Sequence, residues 1–124
     1  MKKNLTYCLI IFSVLLYSFT QVNDVVNALK KGSASQLSKY FDKTVNISLP
    51  TKGNTYSKSQ AELVLKDFFD NNGVKSFEIV QQKNTYQLQY IVGTLLTNSG
   101  EFKTTLYIKQ KQDKQFLQEI KFEK

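Results

Sequence analysis

"YSKSQAELVLKDFFDNNG", residues 56–73, decides how this chain folds. Ser57 and Gln60 have the spacing of a capping box, in which a serine side chain takes up a free backbone amide at a helix start. Gly73 stands just past the other end, where a left-handed residue closes many helices. Between them Ala61, Val64, Leu65, Phe68 and Phe69 recur at helical spacing and make one apolar stripe. A stripe carrying two phenylalanines needs a broad apolar surface opposite it. A sheet provides one.

The sequence after Gly73 alternates as strands do. "KSFEIVQQ" sets Phe77 and Ile79 on one face, and "TYQLQYIVGTLLT" sets Tyr86, Leu88, Tyr90 and Val92 against Gln87 and Gln89. "EFKTTLYIKQK" aligns Phe102, Thr104, Leu106 and Ile108, and "QFLQEIKFEK" aligns Phe116, Ile120 and Phe122. Alternation of this kind belongs to an antiparallel sheet with one solvated face. The loop "NSG", residues 98–100, is expected to hold three residues, with Thr97 opposite Glu101 and Gly100 left-handed. Leu96 then pairs with Phe102, Thr94 with Thr104, Val92 with Leu106 and Tyr90 with Ile108, which makes the even-numbered face apolar. The alternation in each strand points Val80, Ile91, Leu95, Tyr107 and Leu117 outward. Gly93 falls mid-strand, where a bulge or sharp curvature is expected.

Upstream, Asn23 is placed to cap a short helix, "DVVNALKK", that Gly32 ends. Ser33 and Gln36 repeat the capping-box spacing for a second helix over 34–41, whose inward face is Leu37, Tyr40 and Phe41. Val45, Ile47 and Leu49 alternate as a strand stopped by Pro50, and "TKGN" reads as a turn. The order predicts an α+β fold: a curved antiparallel sheet packed on one long helix, plus two short N-terminal helices.

The first residues carry an address. Lys2 and Lys3 precede an uncharged, mainly apolar run over residues 5–19, the pattern of a secretory leader. Fifteen residues fall short of the roughly 20 a membrane-spanning helix needs. Because the uncharged stretch continues to Asn23, an uncleaved anchor is the competing reading. Cleavage near Thr20–Gln21 is expected, leaving residues 21–124 as one domain of the periplasm or the exterior. Cys8, the only cysteine, lies inside the run after Tyr7, which does not fit a lipidation site. The mature chain then has no disulfide, thiol nucleophile or thiolate ligand. Its net charge is +5 once Lys2 and Lys3 are removed, yet it has no Arg and no His. Without the guanidinium fork that reads phosphate and guanine, no nucleic-acid partner is expected. Membrane contact is expected only through the leader or through weak surface charge at Lys109 and Lys111.

"DVVNALKKGSASQLSKYFDKTVNISLP", "YSKSQAELVLKDFF" and "KSFEIV" resemble a family of small exported bacterial proteins, domain-of-unknown-function family 4783. Its members are mostly from Bacteroidetes, within the nuclear-transport-factor-2-like, cystatin-like superfamily. The resemblance covers nearly the whole mature chain and implies that fold, in which a conical pocket often opens between the long helix and the sheet. It supplies no functional residues, because the family has no established activity.

Tyr40, Phe41, Phe69, Tyr90 and Leu106 are the candidates to line such a pocket around a small apolar ligand. Ile91, Leu95 and Tyr107 are the candidates for a homodimer face on the other side of the sheet. No catalytic residue, cofactor or metal is assigned: there is no Gly-rich phosphate loop, no His or Cys set and no Ser–His pair. An isomerase or dehydratase built from Tyr and Asp is the catalytic alternative, and it needs a carboxylate inside the pocket. Asp42 reads as the end of the second helix, while Glu78, Glu101 and Glu119 alternate outward. Most of the pocket volume is therefore expected to be filled, with Tyr40 nearest its mouth. The sequence predicts an exported, non-catalytic ligand-binding or protein-interaction module.

Overall fold

A computed structural model describes residues 20–124. The expected leader, residues 1–20, lies outside them but for Thr20. The long helix, α3 (Lys58–Asn72), is set by its ends. Its N-cap is Ser57, whose side chain accepts a hydrogen bond from the Gln60 amide at 3.4 Å. Gly73 closes it at φ +68°, with its own amide bonded to the Phe69 carbonyl. Ala61, Leu65, Phe68 and Phe69 are buried, while Leu63 on the opposite side is 65% exposed. The buried stripe docks on the sheet through aromatic rings. Phe68 lies 4.5 Å from Phe122 and 5.3 Å from Phe102, and Phe69 meets Phe122 edge-on at 6.1 Å.

Before the long helix come α1 (Thr20–Lys31), α2 (Ala34–Ser38), β1 (Phe41–Ser48) and β2 (Gly53–Ser57). After it come β3 (Val74–Asn84), β4 (Leu88–Thr97), β5 (Gly100–Lys111) and β6 (Lys114–Glu123). The six strands form one sheet in the order β2-β1-β6-β5-β4-β3. Every neighbouring pair is antiparallel except β1 with β6, which is parallel. The last strand is therefore inserted at the centre of the sheet, beside the first. The architecture is the expected α+β one, with the helices on one face.

Several details differ from the sequence reading. Helix α1 begins at Thr20, so Asn23 lies within it rather than at its cap. Helix α2 is capped as expected, Ser33 accepting from the Gln36 amide at 3.2 Å, but it ends at Ser38. Phe41 and Asp42 open β1 instead of closing the helix. "TKGN" turns into a further strand: Gly53–Ser57 pairs with β1 from Ser48↔Gly53 to Thr44↔Ser57.

The main correction is the phase of β4. Thr97 pairs with Gly100, Leu95 with Phe102 and Ile91 with Leu106, one residue away from the expected register. Odd residues of β4 thus join even residues of β5 on the helix-covered face. Ile91 and Leu95 are fully buried, whereas Leu88 is 36% exposed and Tyr86 92%. Two local features favour this phase. Thr97 secures the tight turn, its hydroxyl donating to the Gly100 carbonyl at 2.8 Å and accepting from the Ser99 amide at 3.1 Å. Gly93 faces inward, where the Phe77 ring occupies the space a side chain would need.

Bulges account for the remaining differences. In β6 the register moves between Ile108↔Leu117 and Tyr107↔Glu119, so Gln118 is unpaired. Leu117 therefore turns into the core and Phe116 out of it, while Ile120 and Phe122 keep their inward positions. In β3 Phe77 is buried, and a register shift between Ile79 and Gln81 follows it.

Candidate functional site

The expected pocket is a filled core. Phe41, Phe69 and Leu106 are 3%, 3% and 0% exposed and pack together with Leu65, Phe102 and Phe122. Tyr90 is not among them. The phase of β4 puts it on the opposite face of the sheet, paired directly with Tyr107.

Tyr40 stands at the rim of a different, solvent-open cleft of about 200 Å³, lined by Asp24, Asn27, Lys31, Gln36 and Lys39. Its position is fixed by main chain and side chain together. The Leu117 amide donates to the Tyr40 carbonyl at 2.6 Å, and the Tyr40 hydroxyl donates to Asp24 Oδ2 at 3.1 Å. Partial burial, then the hydrogen bond and charge of Asp24, push the Tyr40 phenol above its usual range. Its hydroxyl is a hydrogen-bond donor held in place by Asp24. Sequence reasoning missed Asp24 because the two residues are sixteen apart and meet only when α1 packs beside the end of α2.

Among the described residues, no helix packs on the other face of the sheet, its open face. At its centre the Tyr90 and Tyr107 rings meet edge-on, 5.0 Å apart at 61°. Val92 and Thr105 pair beside them, each 7% exposed, and Leu88 and Leu96 extend the apolar strip at 36% and 37% exposure. Around the strip run both signs of charge: Lys83, Lys103 and Lys121 with Glu78, Glu119 and Glu123. Lys121 and Glu123 are joined at 2.9 Å; their hydrogen bond raises the ammonium's pKa and lowers the carboxyl's. Of the three residues expected on a dimer face, Tyr107 lies here. Ile91 and Leu95 belong to the core, for the same one-residue change of phase.

One rim of this face is held by Asp42. Its carboxylate accepts from Gln118 Nε2 at 3.1 Å and from Lys111 Nζ at 3.3 Å through Oδ2, and from the Lys43 amide at 2.8 Å through Oδ1. These bonds, Gln118 first, hold its pKa below the usual carboxylate value. A depressed folded-state pKa stabilises the fold above the unfolded value, and that contribution is lost as pH falls through the folded one. Asp42→Asn should thus lose about 1 kcal/mol or less at neutral pH and flatten the acid limb of the stability profile. Urea melts between neutral and acid pH check this; an unchanged limb would exclude Asp42 as a contributor.

The arrangement of elements belongs to the nuclear-transport-factor-2-like, cystatin-like class. An NTF2-like protein of unknown function from Cytophaga hutchinsonii ATCC 33406 is similar at TM-score 0.59 and 7% identity, covering 82% of this chain and 83% of that one. A domain of unknown function with a cystatin-like fold from Nostoc punctiforme PCC 73102 reaches TM-score 0.62 at 10% identity, covering 82% and 70%. At such identities the likeness concerns the fold alone. The chain belongs to DUF4783, a domain-of-unknown-function family whose model matches residues 22–123. A DUF4783 family protein from Bacteroides ovatus ATCC 8483 is similar at TM-score 0.78 and 29% identity, covering 82% of this chain and 92% of that one. No curated protein matches the sequence.

Proposed function

We propose that this chain is an exported, non-catalytic interaction module of the periplasm or cell envelope, and that it engages a protein partner through the open sheet face. The observation that carries this reading is the contrast between the two faces. One is packed by the helices to a filled core, and on the other, among the described residues, no helix covers the half-buried Tyr90–Tyr107 pair and its apolar strip. Tyrosine brings large contact area, low ordering entropy and a polar tip, which is why it anchors many interfaces. The basic leader and its apolar run support export. Lys109 and Lys111 add a weaker attraction to anionic envelope lipids.

A Tyr–Asp enzyme is favoured by one observation, the Tyr40–Asp24 hydrogen bond. Its setting argues against catalysis, because the cleft is open to water and, among the described residues, no acidic side chain is buried. The test is site-specific photo-crosslinking in the native envelope, with the probe at Tyr107 or at Lys39 beside the cleft. Adducts at 107 that disappear with Tyr90→Glu are the expected result. Adducts confined to 39, or recovery of the chain in the cytosol with residues 1–20 attached, would overturn the reading.

A further inference from the structure

The two edges of the sheet differ in kind. β2 is five residues long, while β3 runs for eleven, and Glu78–Asn84 are all exposed. One side of the β3 backbone is bonded to β4; the other has no partner strand among the described residues and presents its amides and carbonyls as a template for another strand. Ile79 and Val80 sit in its middle, 43% and 71% exposed. Lysine and bulges are the usual devices that blunt such an edge, and β3 has both, in Lys83 and in the unpaired Val80.

The bulge also has a second effect. In a regular strand Glu78 and Lys83, an odd number of positions apart, would point to opposite faces. Here Glu78 pairs with Thr94 and Lys83 with Tyr90, so both belong to the open face. Ile79 and Gln82, opposite Gly93 and Ile91, both belong to the helix side.

We infer that β3 pairs antiparallel with β3 of a second copy, about a two-fold axis between Val80 and Gln81. In that register Glu78 of each copy faces Lys83 of the other, and Ile79 faces Gln82. The Glu78–Lys83 and Ile79–Gln82 pairs each then lie on a common face, the bulged Val80 sits beside the axis, and two ion pairs form across it. A shift of two residues either way leaves Lys83 opposite Val80 or Ser76, and both ion pairs are lost. A lysine that repels most incoming strands thus becomes a selector for one, this chain's own. The pairing makes one continuous sheet and lays the two open faces side by side. It does not rest on the partner proposed for those faces.

Sedimentation equilibrium over a graded concentration series tests it. A monomer–dimer equilibrium is expected, weakened about tenfold or more by Lys83→Glu and equally by Glu78→Lys, since each sets like charges opposite one another. The double reversal, E78K with K83E, should restore association. Circular dichroism should be unchanged throughout, because both side chains are exposed. As an independent measurement, edge amides within 78–83 should exchange more slowly at high concentration. A monomer at every concentration, a dimer indifferent to both single reversals, or one dispersed by Tyr107→Glu instead would overturn the proposal.

Discussion

Phe68→Ala is expected to remove about 3–5 kcal/mol of stability, the usual range for deleting a buried phenylalanine ring. A domain of this size holds roughly 5–15 kcal/mol in total, so the variant should be close to unfolding at ordinary temperature. Phe68 touches Phe69 on its own helix, Phe102 on β5 and Phe122 on β6, and so links α3 to the centre of the sheet. With the ring gone, Phe102 and Phe122 would border a void, and neither strand can close on it without leaving its ladder. Phe68→Leu keeps most of the volume and should lose less than about 1.5 kcal/mol. Leu63→Ala, on the exposed side of the same helix, should stay within about 0.5 kcal/mol. Chemical denaturation of the three variants gives the comparison. Equal losses for Phe68→Ala and Leu63→Ala would mean that α3 does not dock by the stripe described.

Gly93→Ala is the second large effect, and here the sign is the test. A methyl group at 93 would overlap the Phe77 ring and the Glu78 carbonyl oxygen. The ring can tilt, but the carbonyl is part of the β3–β4 ladder. The expected loss is about 1–3 kcal/mol, typical of overpacking a tight interior. Phe77→Leu in the Gly93→Ala background should recover part of it, since the two residues share one space; a double-mutant cycle measures the coupling. Were position 93 on the open face, the same substitution would add stability, because glycine weakens a strand interior. A stabilised Gly93→Ala would therefore reverse the phase assigned to β4.

That phase is also where the sequence was least legible. The long helix could be read because its signals agree: a serine cap, a glycine stop and a stripe that no strand period explains. β5 could be read because its lysines mark the outward parity. β4 gives no such mark. Leu88, Tyr90, Val92 and Leu96 are apolar on one parity and Ile91 and Leu95 on the other, so period two identifies a strand without saying which side is in. Gly93 held the missing information, but its meaning depends on Phe77, sixteen residues earlier. β2 was hidden by its brevity and by the turn residues that lead into it, and bulges such as those at Val80 and Gln118 have no fixed sequence mark. The candidate site inherited these errors. Moving the register by one residue replaces Tyr90 opposite Ile108 with Tyr90 opposite Tyr107, which turns a supposed pocket wall into the centre of an exposed surface.

The central position of β6 has a consequence for how the molecule is made. Until Lys114–Glu123 has been synthesised, β1 and β5 have no strand to join them, and the early and late parts of the sheet remain separate fragments. Helix α3 likewise lacks Phe122, half of its aromatic seat. Folding must therefore wait for β6 and then close contacts that join it to β1, more than sixty residues earlier, a slow class of topology. A polypeptide of this design stays threadable until β6 is made, the condition that passage through a narrow translocation channel would demand of the exported module proposed above.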